Sequence, residues 1–267
     1  MLWPSTEPCT TAVVFVHGFW GCSEKTWVQF QTLPDRLQDQ WWRECDLYFY
    51  SYDSVGTQIW PNASLLGRFL GQLFPEPDWR KLGAALAGPI RKYRRAVLVA
   101  HSEGAVITRA ALLERAKSHL GGPQSSLRRR LDRDRLLHSE LCLFAPAMFG
   151  PLISGWKGVL LRSPVLGDLI ESCLNSSAAY KQLKEGPILE EIRSETTQWA
   201  NEYPSLCAFR ARSLFGMRDS IASVGSLAKD FPCEYDPEKD HVSICKPSTM
   251  YLRPVTFVSD RKYAVAA

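Results

Sequence analysis

The feature that most constrains the fold of this chain is an alternation of short apolar runs with longer segments of helical pattern. Six runs have the length of strands, at residues 12–16, 46–52, 96–100, 141–145, 207–215 and 231–235. Most are apolar almost throughout, which is typical of strands covered on both faces, and parallel strands need a crossover segment between them. The sequence therefore predicts an α/β fold with a mostly parallel central sheet and helices on both faces.

Helical patterns occupy residues 27–38, 64–74, 79–93 and 103–117 between these runs. Residues 150–205 differ, because they carry helical patterns but no convincing strand and so interrupt the alternation. We interpret residues 1–267 as a single domain with a helical insertion at 150–205. In a doubly wound sheet this insertion would leave the sheet at the carboxyl edge, where ligands bind.

Two apolar stripes run along the insertion. The first follows the helix start at Ser163-Pro164 and contains Val165, Leu166, Leu169, Ile170, Cys173 and Leu174. The second follows Pro187 and contains Ile188, Leu189, Ile192 and Trp199. Ordinary packing onto the core explains both stripes, and a lid over the active site that governs substrate choice is the sharper alternative.

Composition excludes several classes of protein. With 45% hydrophobic residues the chain can bury one sizeable core, and its net charge of +4 gives no reason to expect a nucleic-acid partner. No leader pattern and no run near the ~18 apolar residues of a membrane span is present, so we expect an intracellular, cytoplasmic protein with at most peripheral membrane contact. Its oligomeric state is left open.

The eight cysteines contain no C-x-x-C pair, so neither a zinc site nor a dithiol site is indicated. We expect reduced thiols, which agrees with an intracellular location. Phosphate-binding glycine loops of either familiar spacing are missing as well. The sequence thus predicts chemistry that needs neither a cofactor nor a metal.

The strongest local signal is Ala100-His101-Ser102-Glu103-Gly104, which joins the apolar run 96–100 to a helical segment. A nucleophile elbow places serine on a strained turn between strand and helix, where residues two positions away on either side must be small. Ala100 and Gly104 meet that demand, although the first small position is more often glycine. This context predicts that Ser102 is a nucleophile.

A second signal follows the first apolar run, in His17-Gly18-Phe19. A glycine after a strand lets the chain bend so that a following amide can point at the carbonyl oxygen attacked by serine. We assign this amide to Phe19 and the second donor to the backbone of Glu103. A simple glycine turn would be the preferred reading if the serine elbow were absent.

These motifs resemble those of the α/β-hydrolases, particularly their lipase and esterase branches, and the resemblance covers most of the chain. It implies the order serine, acid, histidine along the sequence. His241 is the only histidine downstream of all the predicted strands, and its run Asp240-His241-Val242-Ser243 is similar to the histidine loop of serine-active-site lipases and of inositol-deacylase-type proteins.

The resemblance places the acid after a late strand, and Asp219 follows the run 207–215 and a glycine turn. Three other acids compete because they share the histidine loop, namely Asp236, Glu238 and Asp240. His119 and His138 flank a polar stretch that includes a predicted flexible loop at 121–126, where we expect solvent exposure.

The resemblance implies a serine hydrolase that cleaves carboxylic esters, carboxylesterase- or lipase-like, through a Ser102, Asp219 and His241 triad and an acyl-enzyme. Its expected partner is a small-molecule or lipid ester. Two alternatives stay open: a thioesterase or acyltransferase on the same triad, and a catalytically silent relative that binds a partner or signals.

Overall fold

The computed structural model describes residues 2–3, 9–32, 40–75, 93–150, 177–222, 225 and 227–260. Within these residues the centre of the fold is a seven-stranded sheet. Its strands are β1 (Leu2–Trp3), β2 (Thr11–Val16), β3 (Cys45–Tyr50), β4 (Arg95–His101), β5 (Glu140–Phe144), β6 (Ala211–Gly216) and β7 (Cys233–Asp236).

The strand order is β1-β3-β2-β4-β5-β6-β7, and every pair from β3 to β7 is parallel. Only the short β1 is antiparallel to its neighbour β3. Parallel strands deliver all their carboxyl ends to one edge of the sheet, which is the edge where ligands bind in this class of fold. The predicted α/β fold is confirmed.

Eight helices are found in the described residues. They are α1 (Ser23–Gln31), α2 (Gln40–Arg43), α3 (Ile59–Leu73), α4 (Glu103–Ser118), α5 (Leu127–Arg133), α6 (Ala178–Glu185), α7 (Pro187–Glu202) and α8 (Arg253–Ser259). Helices α3, α4 and α7 bury apolar residues against one face of the sheet, and α1, α2 and α8 bury theirs against the other. None of the described helices is both long enough and apolar enough to cross a bilayer.

Strand β2 shows how the two cores arise from the alternation of side chains along a strand. Val14 and Val16 enter the core with α3, α4 and α7, whereas Val13 and Phe15 enter the opposite core. The Phe15 ring is surrounded by aromatic rings: its centroid lies 5.1 Å from that of Trp27 and 4.9 Å from those of Phe30 and Phe49. Both faces of the strand are therefore dry, as its apolar sequence indicates.

Element boundaries differ from the predictions where apolar residues serve another purpose. The predicted strand 207–215 is a 3₁₀ turn at Cys207–Phe209 followed by β6. The run is apolar at its start because Ala208 and Phe209 of the turn are buried in the core that contains α3, α4 and α7. The helix predicted at 64–74 begins earlier, at Ile59, since Pro61 is tolerated in a first helical turn. The predicted helix 79–93 lies outside the described residues except for Tyr93, which is not helical.

The described part of the predicted insertion consists of α6 and α7. Leu189, Ile192 and Trp199 of the second apolar stripe are buried in the core that α7 shares with α4. Core packing therefore accounts for these three residues. The first stripe lies outside the described residues, and the lid stays a prediction.

The polar sequence around His119 led us to expect that this residue is exposed to solvent, but it is not. Its ring is buried, and Nε2 lies 2.8 Å from Oδ2 of Asp134, which also accepts a hydrogen bond from Arg115. The expected flexible loop after it is organised by two 3₁₀ turns, at His119–Gly121 and Gln124–Ser126. None of the seven described cysteines forms a disulfide.

The first turn of α4 packs directly on the end of β2. A Cβ atom added at Gly104 would lie 2.3 Å from the carbonyl oxygen of His17 and 2.7 Å from that of Val16. Both neighbours are backbone atoms, which cannot rotate away as a side chain can. Only glycine allows α4 to begin at this distance from β2.

We expect Gly104→Ala to lower the free energy of unfolding by at least the ~1–3 kcal/mol typical of overpacking, because the strand end must move. Gly121→Ala is the matched control, since a Cβ atom there meets nothing within 4 Å. Urea denaturation measures both variants. Equal stability of the two would contradict the close approach of α4 to β2.

Candidate active site

Ser102 occupies a strained turn between β4 and α4. Its backbone lies at φ 54° and ψ −122°, a region that residues with a side chain seldom adopt and that costs on the order of 1–3 kcal/mol. Hydrogen bonds hold the turn: the Ser102 amide donates to the Phe144 carbonyl at 3.0 Å, and the Ser102 carbonyl accepts from the amides of Ala105 and Ala147 at 3.1 Å. The serine is thus fixed at the carboxyl edge of the sheet, as the elbow pattern predicts.

Gly18 allows the segment after β2 to pass close to this turn. A Cβ atom there would lie 2.7 Å from the Ser102 Cβ atom and 2.9 Å from the His101 carbonyl oxygen. Ala100 pairs with Val16 in the sheet and is fully buried. The structure therefore brings the two sequence motifs, from β2 and from β4, into direct contact.

Ser102, His241 and Asp219 form one hydrogen-bonded chain. His241 Nε2 lies 2.9 Å from Ser102 Oγ, and His241 Nδ1 lies 2.8 Å from Asp219 Oδ2. All three residues are less than 10% exposed, at 6%, 4% and 8% respectively. A carboxylate accepts, so Nδ1 carries the ring proton, and Nε2 is left to accept the hydrogen of the serine hydroxyl.

Asp219 is positioned by the turn that follows β6. Its amide donates to the Gly216 carbonyl at 3.1 Å, and its Oδ1 atom accepts from the amides of Ile221 and Ala222 at 2.8 and 3.0 Å. Burial favours the protonated acid, but the hydrogen bonds from His241 and these amides outweigh it, so the pKa of Asp219 is lowered. The carboxylate is ionised and oriented by donors other than the histidine.

Two of the competing acids, Asp236 and Asp240, have other partners. Oδ1 of Asp240 accepts from the amides of Val242 and Ser243, at 3.0 and 2.8 Å, and so shapes the loop that carries His241. Oδ1 of Asp236 accepts from the Glu238 amide, and its Oδ2 lies 3.4 Å from Arg253. Of the four acids weighed from sequence, Asp219 is the one that contacts the imidazole.

His101, part of the serine motif, supports the histidine loop. A carbonyl oxygen only accepts, so the 2.8 Å contact between His101 Nε2 and the His241 carbonyl is a hydrogen bond donated by the ring. Burial, assisted by the neighbouring His241, lowers the pKa of His101 to about 3, so the ring is neutral. The sequence motif contained this residue but gave no sign of its contact 140 residues away.

The segment after β2 holds the Gly18 carbonyl between two donors. The Gly21 amide donates to it at 2.9 Å, and His17 Nδ1 lies 2.8 Å from it. The Tyr52 amide donates to His17 Nε2 at 3.3 Å, so Nδ1 is the protonated nitrogen. Burial lowers the pKa of His17, although the hydrogen bond to the Gly18 carbonyl opposes the shift, and the ring is neutral.

A trans peptide points its N–H away from its carbonyl. Because the Gly18 carbonyl is held on one side, the amide of Phe19 points to the other. The Glu103 amide belongs to the first turn of α4, whose N–H groups have no acceptor within the helix. Both sequence-assigned donors thus come from segments that adjoin Ser102.

Tyr52 was missed from the sequence. It follows β3 and reaches over the end of β2, where its ring stacks on His17 with centroids 4.4 Å apart. Its hydroxyl lies 2.8 Å from the His17 carbonyl oxygen and 3.2 Å from Oε2 of Glu103. Its place at the end of the predicted strand 46–52 was the one available signal, because residues at the carboxyl ends of parallel strands line the ligand-binding edge.

Known proteins are similar to this chain in fold. The sequence model of the Alpha/beta hydrolase family matches residues 13–236. No curated protein sequence matches the chain. The peroxisomal alpha-beta-hydrolase Lpx1 from Saccharomyces cerevisiae is 12% identical over 100% of this chain and 84% of its own, with a TM-score of 0.54.

Phospholipase PlaB from Legionella pneumophila is 17% identical over 78% of this chain, with a TM-score of 0.45, and the chain spans only 38% of the length of that enzyme. At 12% identity, the likeness to Lpx1 concerns the fold alone. The sheet order, the strained serine turn and the family match, which extends from β2 to the end of β7, agree with one another. The chain belongs to the alpha/beta hydrolase family.

Proposed function

We propose that this chain is a serine hydrolase that cleaves carboxylic esters through an acyl-enzyme intermediate. Ser102 is the nucleophile, His241 the general base and acid, and Asp219 the residue that orients the imidazole. The observation that carries the proposal is the continuous chain from Ser102 Oγ through His241 to Asp219, with contacts of 2.9 and 2.8 Å. Such a chain activates a hydroxyl that is otherwise a weak nucleophile.

Acylation begins when Ser102 Oγ attacks the ester carbonyl carbon and His241 Nε2 takes the serine proton. The carbonyl oxygen gains the negative charge, and the amides of Phe19 and Glu103 are the donors that would bind it. As the tetrahedral intermediate collapses, the bond to the alkoxide breaks and His241 returns the proton to the leaving alcohol. Ser102 then carries the acyl group.

Deacylation repeats these steps with water. His241 Nε2 takes a proton from the water as its oxygen attacks the acyl carbon, and the same two amides bind the oxyanion. When the bond to Ser102 Oγ breaks, His241 returns the proton to the serine. The carboxylic acid leaves, and Asp219 stabilises the positive imidazole in both halves of the reaction.

An apolar substrate is supported by side chains at the edge of the sheet where Ser102 emerges. Four exposed apolar residues follow the ends of β2, β5, β6 and β7, at the same edge of the sheet as the serine: Trp20, Phe149, Met217 and Val242. Large apolar groups exposed at one edge of a fold are typical of a surface that binds an apolar ligand. We propose that they receive the acyl or alcohol part of the ester.

Helix α6, from the predicted insertion, is proposed as one wall of this site. Ser177 donates to the Val55 carbonyl at 2.8 Å, and Gln182 accepts from the Ile59 amide at 2.9 Å, both in the segment after β3. The helix therefore lies at the carboxyl edge. Its Tyr180 ring faces Phe19, with centroids 6.1 Å apart, directly beside one of the proposed oxyanion donors.

Ser102→Ala tests the nucleophile. Removal of one hydroxyl should lower kcat for a p-nitrophenyl ester by several powers of ten, to the ~10³–10⁴-fold acceleration over water that binding and the oxyanion hole retain. Ser139→Ala is the control, because this buried serine lies just before β5, at the opposite edge of the sheet, and its hydroxyl has no hydrogen-bond partner among the described residues. Near-normal turnover by the Ser102 variant would remove this residue from the mechanism.

Asp219→Asn tests the orienting acid. An amide in place of the carboxylate favours the wrong imidazole tautomer, which lowers kcat on the order of 10⁴-fold in the Ser-His-Asp enzymes where it has been studied. Asp236→Asn and Asp240→Asn are the matched controls, since neither contacts the imidazole, and we expect much smaller losses. If Asp240→Asn proves the most damaging of the three, the acid is wrongly assigned.

Tyr180→Ala tests whether α6 lines the substrate site. Loss of the ring should raise kcat/KM for long acyl esters relative to short ones, because each additional buried methylene contributes ~0.8 kcal/mol, or about fourfold. Tyr203→Ala is the matched control: its ring packs on Trp199 at the far end of α7. Both variants should lose stability, and a chain-length ratio unchanged in Tyr180→Ala would contradict the proposed wall.

A further inference from the structure

The side chain of Glu103 has no part in the mechanism above, yet it is completely buried next to the nucleophile. Its Oε2 atom faces the Tyr52 hydroxyl at 3.2 Å, and its Oε1 atom has no hydrogen-bond partner among the described residues. The same hydroxyl lies 2.8 Å from the His17 carbonyl oxygen. Tyr52 thus stands between two oxygen atoms with a single hydrogen to donate.

The direction of these hydrogen bonds follows from what each atom can do. The His17 carbonyl only accepts and is the nearer atom, so the Tyr52 hydrogen belongs to it. The hydroxyl oxygen of Tyr52 is then an acceptor, and the Glu103 oxygen that faces it must be the donor. Both hydrogen bonds of the Tyr52 hydroxyl form when Glu103 is a neutral carboxylic acid, and one of them is lost when Glu103 is a carboxylate.

We propose that the neutral carboxyl of Glu103 is a positioning group for the oxyanion hole: it donates to Tyr52, which donates to the His17 carbonyl and so fixes the segment that carries the Phe19 amide. The inference rests on the proposed function of this site. Glu103 would act twice, since its own amide is the second oxyanion donor.

The chain of contacts continues from His17 to the donor itself. Tyr52 holds His17 by three contacts, which are the stacked rings, the hydroxyl to the carbonyl and the amide to Nε2. His17 Nδ1 then donates to the Gly18 carbonyl. That carbonyl sets the plane of the peptide whose N–H is the Phe19 donor.

The surroundings of Glu103 favour the neutral acid. Burial raises the pKa of its carboxyl to about 8, and the nearby charge of Asp53 adds to the shift. Burial, with the adjacent Glu103, raises the pKa of Tyr52 well above its ordinary value, so the phenol keeps its hydrogen. The first turn of α4 favours a negative charge, but a carboxylate there would leave Oε1 buried and unpaired.

The sign of the pH effect follows from this shift. Below about pH 8 Glu103 is protonated and the chain of hydrogen bonds is complete. Above that pH the carboxylate can only accept, so it draws the Tyr52 hydrogen away from the His17 carbonyl. Among the described residues, the ionisable groups near Glu103 are Tyr52 and Asp53 after β3 and His17 after β2, and these keep their protonation states through this range.

The experiment is the dependence of kcat on pH, from pH 6 to 10, for a p-nitrophenyl ester after subtraction of spontaneous hydrolysis. Wild-type kcat should fall above about pH 8 with KM little changed. Glu103→Gln cannot ionise, and its amide donates to Tyr52 as the neutral acid does, so its profile should lack this fall.

Glu103→Ala and Tyr52→Phe should lower kcat at pH 7 by about tenfold, less than the ~10²–10³-fold loss when an oxyanion donor is removed altogether. Glu103→Gln should recover most of this loss. Tyr50→Phe is the matched control: this tyrosine stacks beside Tyr52 but does not touch Glu103 or His17 in the described hydrogen bonds, and its kcat should change less than about twofold.

The inference is overturned if the alkaline fall persists in Glu103→Gln, if Glu103→Gln is as damaging at pH 7 as Glu103→Ala, or if Tyr52→Phe behaves like Tyr50→Phe. Wild-type protein without Ser102-dependent turnover would contradict the proposed function instead. In that case the unfolding temperature decides: because the pKa of Glu103 is raised from 4.5 to about 8, wild-type stability should fall between these pH values relative to Glu103→Gln. Parallel pH curves for the two proteins would then reject the neutral acid.

Discussion

The backbone of Ser102 is held at a positive φ angle between β4 and α4, and the rest of the site is arranged around this strained turn. Strain of this kind persists only where the surroundings over-determine it. Here the amide and carbonyl of the serine are tied to the segment that ends β5, while Gly104 and Gly18 admit the end of β2 at distances that no Cβ atom would allow. The turn and the segment that carries Phe19, the proposed oxyanion donor, are therefore one packed unit.

The parallel sheet supplies the remaining groups. Asp219 and His241 follow the ends of β6 and β7, and the sheet carries them to the edge where Ser102 emerges, although the serine and the histidine are 139 positions apart. The surroundings of each ionisable group then determine its protonation state. Hydrogen bonds keep Asp219 ionised in spite of burial, whereas burial without sufficient partners keeps His101 neutral and favours the neutral form of Glu103. One small site thus holds one carboxyl as an anion and another as an acid.

The sequence was sufficient to predict that Ser102, Asp219 and His241 lie together, because their placement depends on order along the chain. Ser102 lies in a local strand-to-helix pattern, and Asp219 and His241 follow the last strands in the order the fold requires. It was insufficient where the role depends on distant contacts: nothing local indicates that Tyr52 reaches Glu103, 51 positions away, or that His101 holds the loop of His241. It also misjudged 207–215, because apolar runs that enter a core as a turn or as a strand look the same.

The central claim is that Ser102 is a nucleophile made reactive by His241, and a fluorophosphonate tests it without knowledge of the substrate. The serine oxygen would displace fluoride from phosphorus and form a stable adduct. We expect intact-mass and peptide analysis to find a single adduct on Ser102, and labelling slowed by orders of magnitude in His241→Ala. No adduct on folded protein, or an adduct on another residue with Ser102 unmodified, would contradict the account.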